Sequence, residues 1–416
     1  MTDASMEQAP AAGGRKRGSL HATDDRTRRR NASERRFRLY GLAAIGLGVL
    51  FLVILATSII RSGAPAFTRT VIEIDFTLTQ EQFDEAESAL LKTSVYEGFF
   101  NDAMESAVEA RGLDIAVPPE AIERIAGNIG GYIRSYYREN PDQLGQAVDF
   151  KLPTASRVDG YFKGRVTRES MARSRFLMAE DLDIVDRLAD AGIITSEFNW
   201  AFIRGTDAGV DNPGGAGIGA SVIGSFFMML VVLVLSLPIG VAASIYLEEF
   251  APKNRWTDLI EVNISNLAAV PSIVFGILGL AVFIQFAHLP QSAPLVGGLV
   301  LTLMTLPTII ISTRASLQSV PPSIRDAALG VGASKMQSVF HHVLPLAMPG
   351  ILTGTILGLA QALGETAPLL LIGMVGFVAR EYPDGLISGF FVFNDAATTQ
   401  IYTWAARADQ GFYEKA

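Results

Sequence analysis

Five long apolar stretches constrain this chain more than any other feature: residues 40–60, 220–247, 262–287, 295–317 and 346 to about 363, the last with an apolar continuation to 378. About 20 apolar residues carry a helix across the hydrocarbon core. Inside that core every backbone polar group needs a partner, which leaves helices or closed barrels. The stretches are continuous rather than alternating, so they read as helices. The fold class expected is an all-α polytopic membrane protein. Composition agrees: 49% of residues are hydrophobic and 18% charged, with a mean hydropathy of +0.31. The chain has no cysteine, which excludes disulfides and thiolate metal sites. Its four histidines form no zinc-hydrolase motif, and no metal site is expected. The formal charge of -8 argues against a nucleic-acid partner. No phosphate-binding Gly-rich loop with a Lys-Ser/Thr ending is present, so the chain holds no ATP of its own.

Charge sets the expected topology. Arg15, Lys16, Arg17, Arg26, Arg28, Arg29, Arg30, Arg35, Arg36 and Arg38 precede the first stretch. Basic flanks stay in the cytoplasm, so residues 1–38 read as a disordered basic cytoplasmic arm and 39–61 as an uncleaved signal anchor. Alternation then places the polar insert, residues 62–205, on the periplasmic side. The loop with Lys253 and Arg255 and the segment with Arg325 and Lys335 fall inside. The loop 288–294, without Lys or Arg, falls outside. Residues 216–416 form the remaining transmembrane domain.

The insert reads as a small α+β domain. Residues 71–78 alternate, with Ile72, Ile74, Phe76 and Leu78 on one face of a half-buried strand. Helices are expected over 80–111, from Pro118-Pro119 to about 137, and over 169–192 with Gly192 as the stop. No catalytic spacing occurs in it. It reads first as a structural elaboration of one loop, and second as a sensor or docking domain.

Pro238, Pro271, Pro307 and Pro349 lie within spans, together with many glycines. That pattern suggests helices that bend and pack closely. An acid at mid-span costs about 2.5–3.5 kcal/mol on the insertion scale. Glu365, in the run Gln361 to Pro368, is the conspicuous case, and Gly364 and Pro368 predict a helix break there. Gln361, Glu365 and Thr366 are therefore candidate pathway residues. Arg314, near the end of the fourth span, is a fourth candidate, with a plain positive-inside anchor as the alternative.

Between two spans lies RDAALGVGASKMQSVFHHVLP, residues 325–345. Its glycines permit a turn between two short helices. Met336, Val339, Phe340 and Val343 follow helical spacing and form an apolar face. A polar elbow with such a face reads as a docking surface. Asp326, Ala327, Ala328, Gly332, Met336, Leu344 and Pro345 are the candidate docking residues.

This segment resembles the EAA loop of ATP-binding-cassette importer permeases: Glu-Ala-Ala, three residues, Gly, nine residues, Ile, one residue, Leu-Pro. Asp326 stands at the Glu position and His342 at the Ile position. Gly332 and Leu344-Pro345 match in register. The runs AAVPSIVFGILGL (268–280), LPTIIISTRASLQSVPPSIRDAALGVGASK (306–335) and ALGETAPLLLIG (362–373) resemble the A-type permease of the phosphate-specific (Pst) importers, within the MetI-like type I family. SRVDGYFKG (156–164) resembles an extra domain carried by some of these permeases. Family members often carry an arginine at the position of Gln361.

The resemblance implies a MetI-like helical core with six spans, of which five are visible. A sixth would follow residues 401–405, so a C-terminally truncated chain is expected. It also implies an inner-membrane permease importing phosphate. Expected partners are a C-type permease, two copies of a cytoplasmic ATPase carrying ATP and Mg, a periplasmic phosphate-binding protein, and membrane lipid. The chain itself is expected to be neither an enzyme nor a cofactor carrier. The same architecture could carry sulfate, molybdate or phosphonate. A receptor using the insert as sensor is a distant alternative, because the inner loops are too short for an output domain. A secondary transporter would show an internal repeat, which the sequence lacks.

Overall fold

The computed structural model describes residues 25–171, 177–209, 213–374 and 382–416. Residues 1–24 of the basic arm, 172–176 of the expected 169–192 helix and 375–378 of the apolar continuation lie outside the described residues. The chain divides into Met1–Ser62 and Gly63–Ala416.

The described residues of the first unit lie in one helix, α1 (Asp25–Gly63). Its 39 residues extend about 58 Å at 1.5 Å each, roughly twice the hydrocarbon thickness. The expectation of disorder to residue 38 is corrected here: the basic residues from 25 onward are helical. A nucleated span propagates at one hydrogen bond per added residue, and Arg, Ala and Glu are good helix formers.

The insert is built on a three-stranded antiparallel sheet in the order β2-β1-β3, formed by β1 (Thr68–Thr77), β2 (Ala147–Pro153) and β3 (Ile194–Phe198). Ile72 pairs with Leu152 on one side and Ile194 on the other. Ile72, Ile74, Phe76 and Leu78 are all buried, as the alternation predicts. Helices α2 (Gln80–Ser88), α3 (Lys92–Ala110), α4 (Pro119–Ala126), α5 (Ile129–Glu139), α6 (Ser156–Phe162), α7 (Arg168–Met171) and α8 (Ala179–Asp190) complete the domain. They cover the sheet with Tyr96, Phe100, Ile125, Ile133, Tyr137, Leu182 and Val185.

Three expected helices are interrupted. The 80–111 helix stops at Ser88 and restarts at Lys92. The helix from Pro119 breaks at Gly127, whose φ of +74° no L side chain adopts cheaply. Over 169–192, α7 reaches Met171 and α8 starts at Ala179, with Leu177 and Met178 outside either helix. The stop is as expected: Gly192 has φ +72°, and the Ile193 and Gly192 amides donate to the Leu188 and Ala189 carbonyls. This is a Schellman closure.

After α9 (Trp200–Arg204), the spans follow: α10 (Gly219–Ile245), α11 (Arg255–Ala268) with α12 (Ser272–Gly279), α13 (Pro294–Gln318) and α16 (Leu344–Leu363). Short helices α14 (Pro322–Gly330) and α15 (Lys335–Ser338) form the elbow before α16. Helices α17 (Ala367–Leu371), α18 (Ser388–Phe391), α19 (Ala397–Ala406) and α20 (Gln410–Lys415) follow it. Among the described residues four helices are long and apolar enough to span, including α1, and five if a bent pair counts as one span. That pair occupies the span expected over 262–287, and the bend that Pro271 suggested there is a full break. The chain turns by 100° between Ala268 and Ser272, with Pro271 at the N-cap of α12. Pro238, Pro307 and Pro349, by contrast, lie inside continuous helices.

Small residues bring the spans together. A Cβ on Gly298 would lie 2.5 Å from Val231 Cβ, and one on Gly240 would lie 2.7 Å from Ile309 Cγ2. These contacts rise together in number, so α10 and α13 run parallel. Parallel neighbours need a return crossing, which the bent pair supplies. On α16, Gly350 and Gly354 face Ser316 and Ser312 of α13, an antiparallel register. The spans thus have an insert end, where α10 and α13 begin, and an elbow end.

Gly298→Leu should force α10 and α13 apart, at about 1–3 kcal/mol or more. It should lower the melting temperature of the purified protein by several degrees. Gly330→Ala, at a site with open space around it, should leave that temperature unchanged.

In the insert, Arg134 and Lys92 hydrogen-bond the Glu87 carboxylate and hold it down to about 2. A depressed carboxyl stabilises the fold above its unfolded value and loses that contribution as pH falls from about 4.5 to 2. Acid titration of the insert's tyrosine circular dichroism should show a shallower loss over that window in Glu87→Gln.

Candidate functional site

The elbow is shaped by two local signals in series. At its first helix, α14, the Gly332 amide donates to Leu329 O at 3.0 Å and the Ala333 amide to Ala328 O at 3.1 Å. Gly332 has φ +91°. This Schellman closure ends the helix where only glycine fits without strain. Two residues on, Ser334 opens α15 with a capping box: its hydroxyl accepts from the Gln337 amide and its amide donates to Gln337 Oε1. A π-helical turn over Val339–Val343 leads into α16. Pro345 follows it, and a wider turn accommodates a residue that lacks an amide and crowds the preceding turn.

The expected apolar face divides in two. Val339 and Val343 are buried with Ile245, Leu317, Val320 and Ile351. Met336 and Phe340 are exposed and line an apolar groove with Leu237, Val241, Tyr246 and Phe250, while Leu329 and Val331 are exposed as well, Val331 by 87%. Asp326 and Ala327 are exposed while Ala328 is buried. The exposed residues of the elbow therefore include Asp326, Ala327, Leu329, Val331, Gly332, Met336 and Phe340. Leu344 and Pro345 sit at its base.

An ionic cluster holds this elbow to the spans. Arg325 forms a fork with Glu249, Nη2 to Oε1 at 2.7 Å and Nε to Oε1 at 3.0 Å. It also donates to the Val320 and Leu317 carbonyls at the end of α13. Arg314 donates to Glu261 on α11 at 2.8 Å and to Glu248 at 3.4 Å, and Gln318 donates to Glu248 at 2.8 Å. Glu248 and Glu249 lie in a π-helical turn, Tyr246–Phe250, that extends α10. The five charged groups join α10, α11, α13 and α14. The sequence did not single out Glu248, Glu249 or Glu261. Their signal was present: two adjacent acids at the end of an apolar helix need cations nearby.

The pathway candidates separate. Helix α16 ends at Leu363, and α17 begins at Ala367, so Glu365 and Thr366 occupy a break as predicted. Thr398 Oγ1 donates to the Glu365 carbonyl at 3.0 Å. Pro368 lies against α12, with its Cα 2.7 Å from a Cβ placed on Gly276. The Glu365 carboxylate is half-buried and has no ion pair among the described residues. Gln361 is exposed one turn before it. Arg314 is elsewhere: the register of Gly350 and Gly354 on Ser316 and Ser312 sets it level with residue 352. That is about 20 Å of helix from Glu365. Arg314 belongs with the elbow cluster.

A third constellation was not foreseen. Asp159 and Lys163 of SRVDGYFKG meet Glu414 of α20: Lys163 Nζ lies 2.7 Å from Asp159 and 2.9 Å from Glu414. Asp159 also accepts from the Thr70 amide of β1. Asp207 holds Arg407 at 2.6 Å and accepts from the Trp404 indole at 2.8 Å. Lys415 donates to the Pro213 and Ala216 carbonyls. Residues 397–415 thus tie the insert to the insert end of the spans.

Residues 236–382 match the family described as binding-protein-dependent transport system inner membrane component, and residues 24–172 match a domain of unknown function, DUF3333. Segment 236–382 is thus similar to the membrane components of binding-protein-dependent transport systems, the MetI-like class. The chain is 29% identical over 214 residues to the probable ABC transporter permease protein YqgI of Bacillus subtilis, covering 50% of this chain and 71% of that protein. It is 33% identical over 159 residues to the phosphate transport system permease protein PstA of Yersinia pestis, covering 38% of this chain and 53% of that protein. It is 33% identical over 156 residues to PstA 1 of Mycobacterium tuberculosis strain H37Rv, covering 38% and 50%. The chain thus spans about half the length of the two phosphate permeases.

The Arg325–Glu249 fork should behave as a coupled pair. Arg325→Met or Glu249→Gln alone should lower stability by about 2 kcal/mol. This is less than for a fully buried pair because Arg325 keeps 22% exposure. The double variant should cost less than the sum, which a double-mutant cycle on urea unfolding would read out.

Proposed function

We propose that this chain is the membrane subunit of an ATP-driven importer of inorganic phosphate. In this reading the elbow docks in a cytoplasmic ATPase, and hydrolysis there moves the spans. The carrying observation is the elbow itself: two short helices joined at Gly332 and tied by Arg325 to α10 and α13, which Arg314 in turn joins to α11. A load applied to Val331, Met336 or Phe340 passes into α10 and α13, and through Arg314 into α11. The phosphate assignment is supported by the named activity of the PstA relatives and by the matching run around Glu365.

A periplasmic binding protein would deliver the anion at the insert end, and a C-type permease would complete the path. The insert and α20 would then lie in the periplasm and the elbow in the cytoplasm. Gln361, Glu365 and Thr366 would face the path at the break after α16. A carboxylate there repels a phosphate that lingers, so its role is gating rather than binding. Arg314 anchors the elbow. ATP with Mg is held by the partner ATPase. Sulfate, molybdate and phosphonate are the competing cargoes, separated by the specificity of the binding protein.

Two measurements test this reading. Reconstituted with its partners in proteoliposomes, the chain should support phosphate uptake only when ATP is supplied; uptake without ATP would end the proposal. In a chain free of native cysteine, Val331→Cys should crosslink to the ATPase, whereas Leu90→Cys in the insert should not. Gly332→Val strains a φ of +91° by about 1–2 kcal/mol and should reduce uptake while the chain still inserts.

A further inference from the structure

The insert carries an aromatic ledge that none of the described residues covers. Phe67, Phe198 and Trp200 are 44%, 45% and 57% exposed. They are contiguous: ring centroids are 6.4 Å apart for Phe67 and Phe198, and 4.8 Å for Phe198 and Trp200. Ile203 adds a further exposed apolar side chain. The Arg204 guanidinium lies 5.0 Å from the Trp200 ring centroid. The ledge is rigid. Phe67 packs edge-on against buried Phe202, which lies beside buried Trp404. Asn199 donates to the Ala66 carbonyl and caps α9 through the Phe202 amide. Loose exposed aromatics could fold back onto the domain; these cannot.

Its level relative to the spans is set by hydrogen bonds. The Ile218 amide donates to Phe202 O at 2.8 Å, and the Gly219 amide to Gly205 O at 3.0 Å. Helix α9 is therefore clamped to the first residue of α10. The 27 residues of α10 extend about 40 Å, some 10 Å more than the hydrocarbon core, so its ends reach into the headgroup layers. Trp, with an apolar body and a polar N–H, concentrates at that depth, and a neighbouring cation meets lipid phosphate there. The apolar surface continues down the span, where Val222 and Phe226 are 50% and 61% exposed.

We propose that this ledge is a lipid-binding surface. Phe67, Phe198 and Trp200 lie in the headgroup layer at the insert end, Arg204 pairs with phospholipid phosphate, and the insert is thereby seated on the bilayer. The occupant is phospholipid, not a protein partner. The claim requires that α10 spans the membrane, not that the chain carries phosphate.

The absence of cysteine makes the test clean. In the assembled transporter in phospholipid vesicles, a nitroxide on Trp200→Cys is read for collision with oxygen, which partitions into lipid, and with a water-soluble nickel chelate. The reference labels are Leu90→Cys, on a side chain fully exposed at the insert surface, and Phe226→Cys on α10. The expected balance at 200 is shifted from the water value at 90 toward the lipid value at 226. A water-like balance at 200 overturns the proposal. So does exclusion from both reagents, which would mean a protein covers the ledge. Should Trp200→Cys fail to insert, the unaltered chain serves instead: brominated phospholipid should quench its tryptophan emission more than that of Trp200→Phe, and equal quenching overturns the proposal.

Discussion

Everything at the elbow end depends on five charges that an apolar bundle cannot leave unpaired. Glu248 and Glu249 extend a helix that is otherwise hydrocarbon-compatible, and Glu261 lies on the amphipathic helix beyond it. Isolated, each would cost several kcal/mol at that depth. Arg314 and Arg325 resolve all three. Such pairs add little net stability against apolar replacements, but they discriminate strongly against misregistered packing. Arg325 meets Glu249 only if α14 leaves α13 in one direction, because the same guanidinium is also fixed by the Leu317 and Val320 carbonyls. The elbow's direction is thus set by an orientation-specific bond, beside the burial of Val339 and Val343. This suits a segment whose outer face stays free.

The spans themselves are governed by close approach. Lipid offers no hydrophobic drive for helices to associate, so van der Waals contact between small residues decides which faces meet. Gly298 and Gly240 bring α13 to α10, and Gly350 and Gly354 bring α16 to α13. The parallel pairing of α10 with α13 then dictates a crossing between them. The chain makes that crossing with a 100° turn at Pro271. The bend leaves α11 beside the elbow and α12 beside the break that holds Glu365. One broken span therefore touches both candidate functional regions.

At the other end, residues 397–415 serve both domains. Thr398 fixes the carbonyl of Glu365, while Glu414 and Lys415 reach the insert and the 213–216 turn. The insert is joined to the helical region by buried charge pairs and not only by chain connectivity. The SRVDGYFKG run thereby acquires a physical role: Asp159 holds β1, and Lys163 holds the tail.

Much was legible in the sequence because its causes are local. Continuous apolar runs specify spans, alternation places Ile72, Ile74, Phe76 and Leu78 inward, and Gly332-Ala-Ser334 spells a helix stop followed by a helix start. The break at Glu365 follows from Gly364 and Pro368. What stayed hidden depends on partners distant in the chain. β2 and β3 are too short and too polar to declare themselves until β1 offers both edges. Val339 and Val343 share a helical stripe with Met336 and Phe340, and only the packing of α10 and α13 turns one pair inward. Arg314 reads equally as an anchor or a pathway residue until Glu261, far behind it in sequence, arrives at 2.8 Å. Periodicity states which side chains share a face; three-dimensional packing alone decides what that face meets, because ion pairs and close helix contacts act over ångströms and not over sequence.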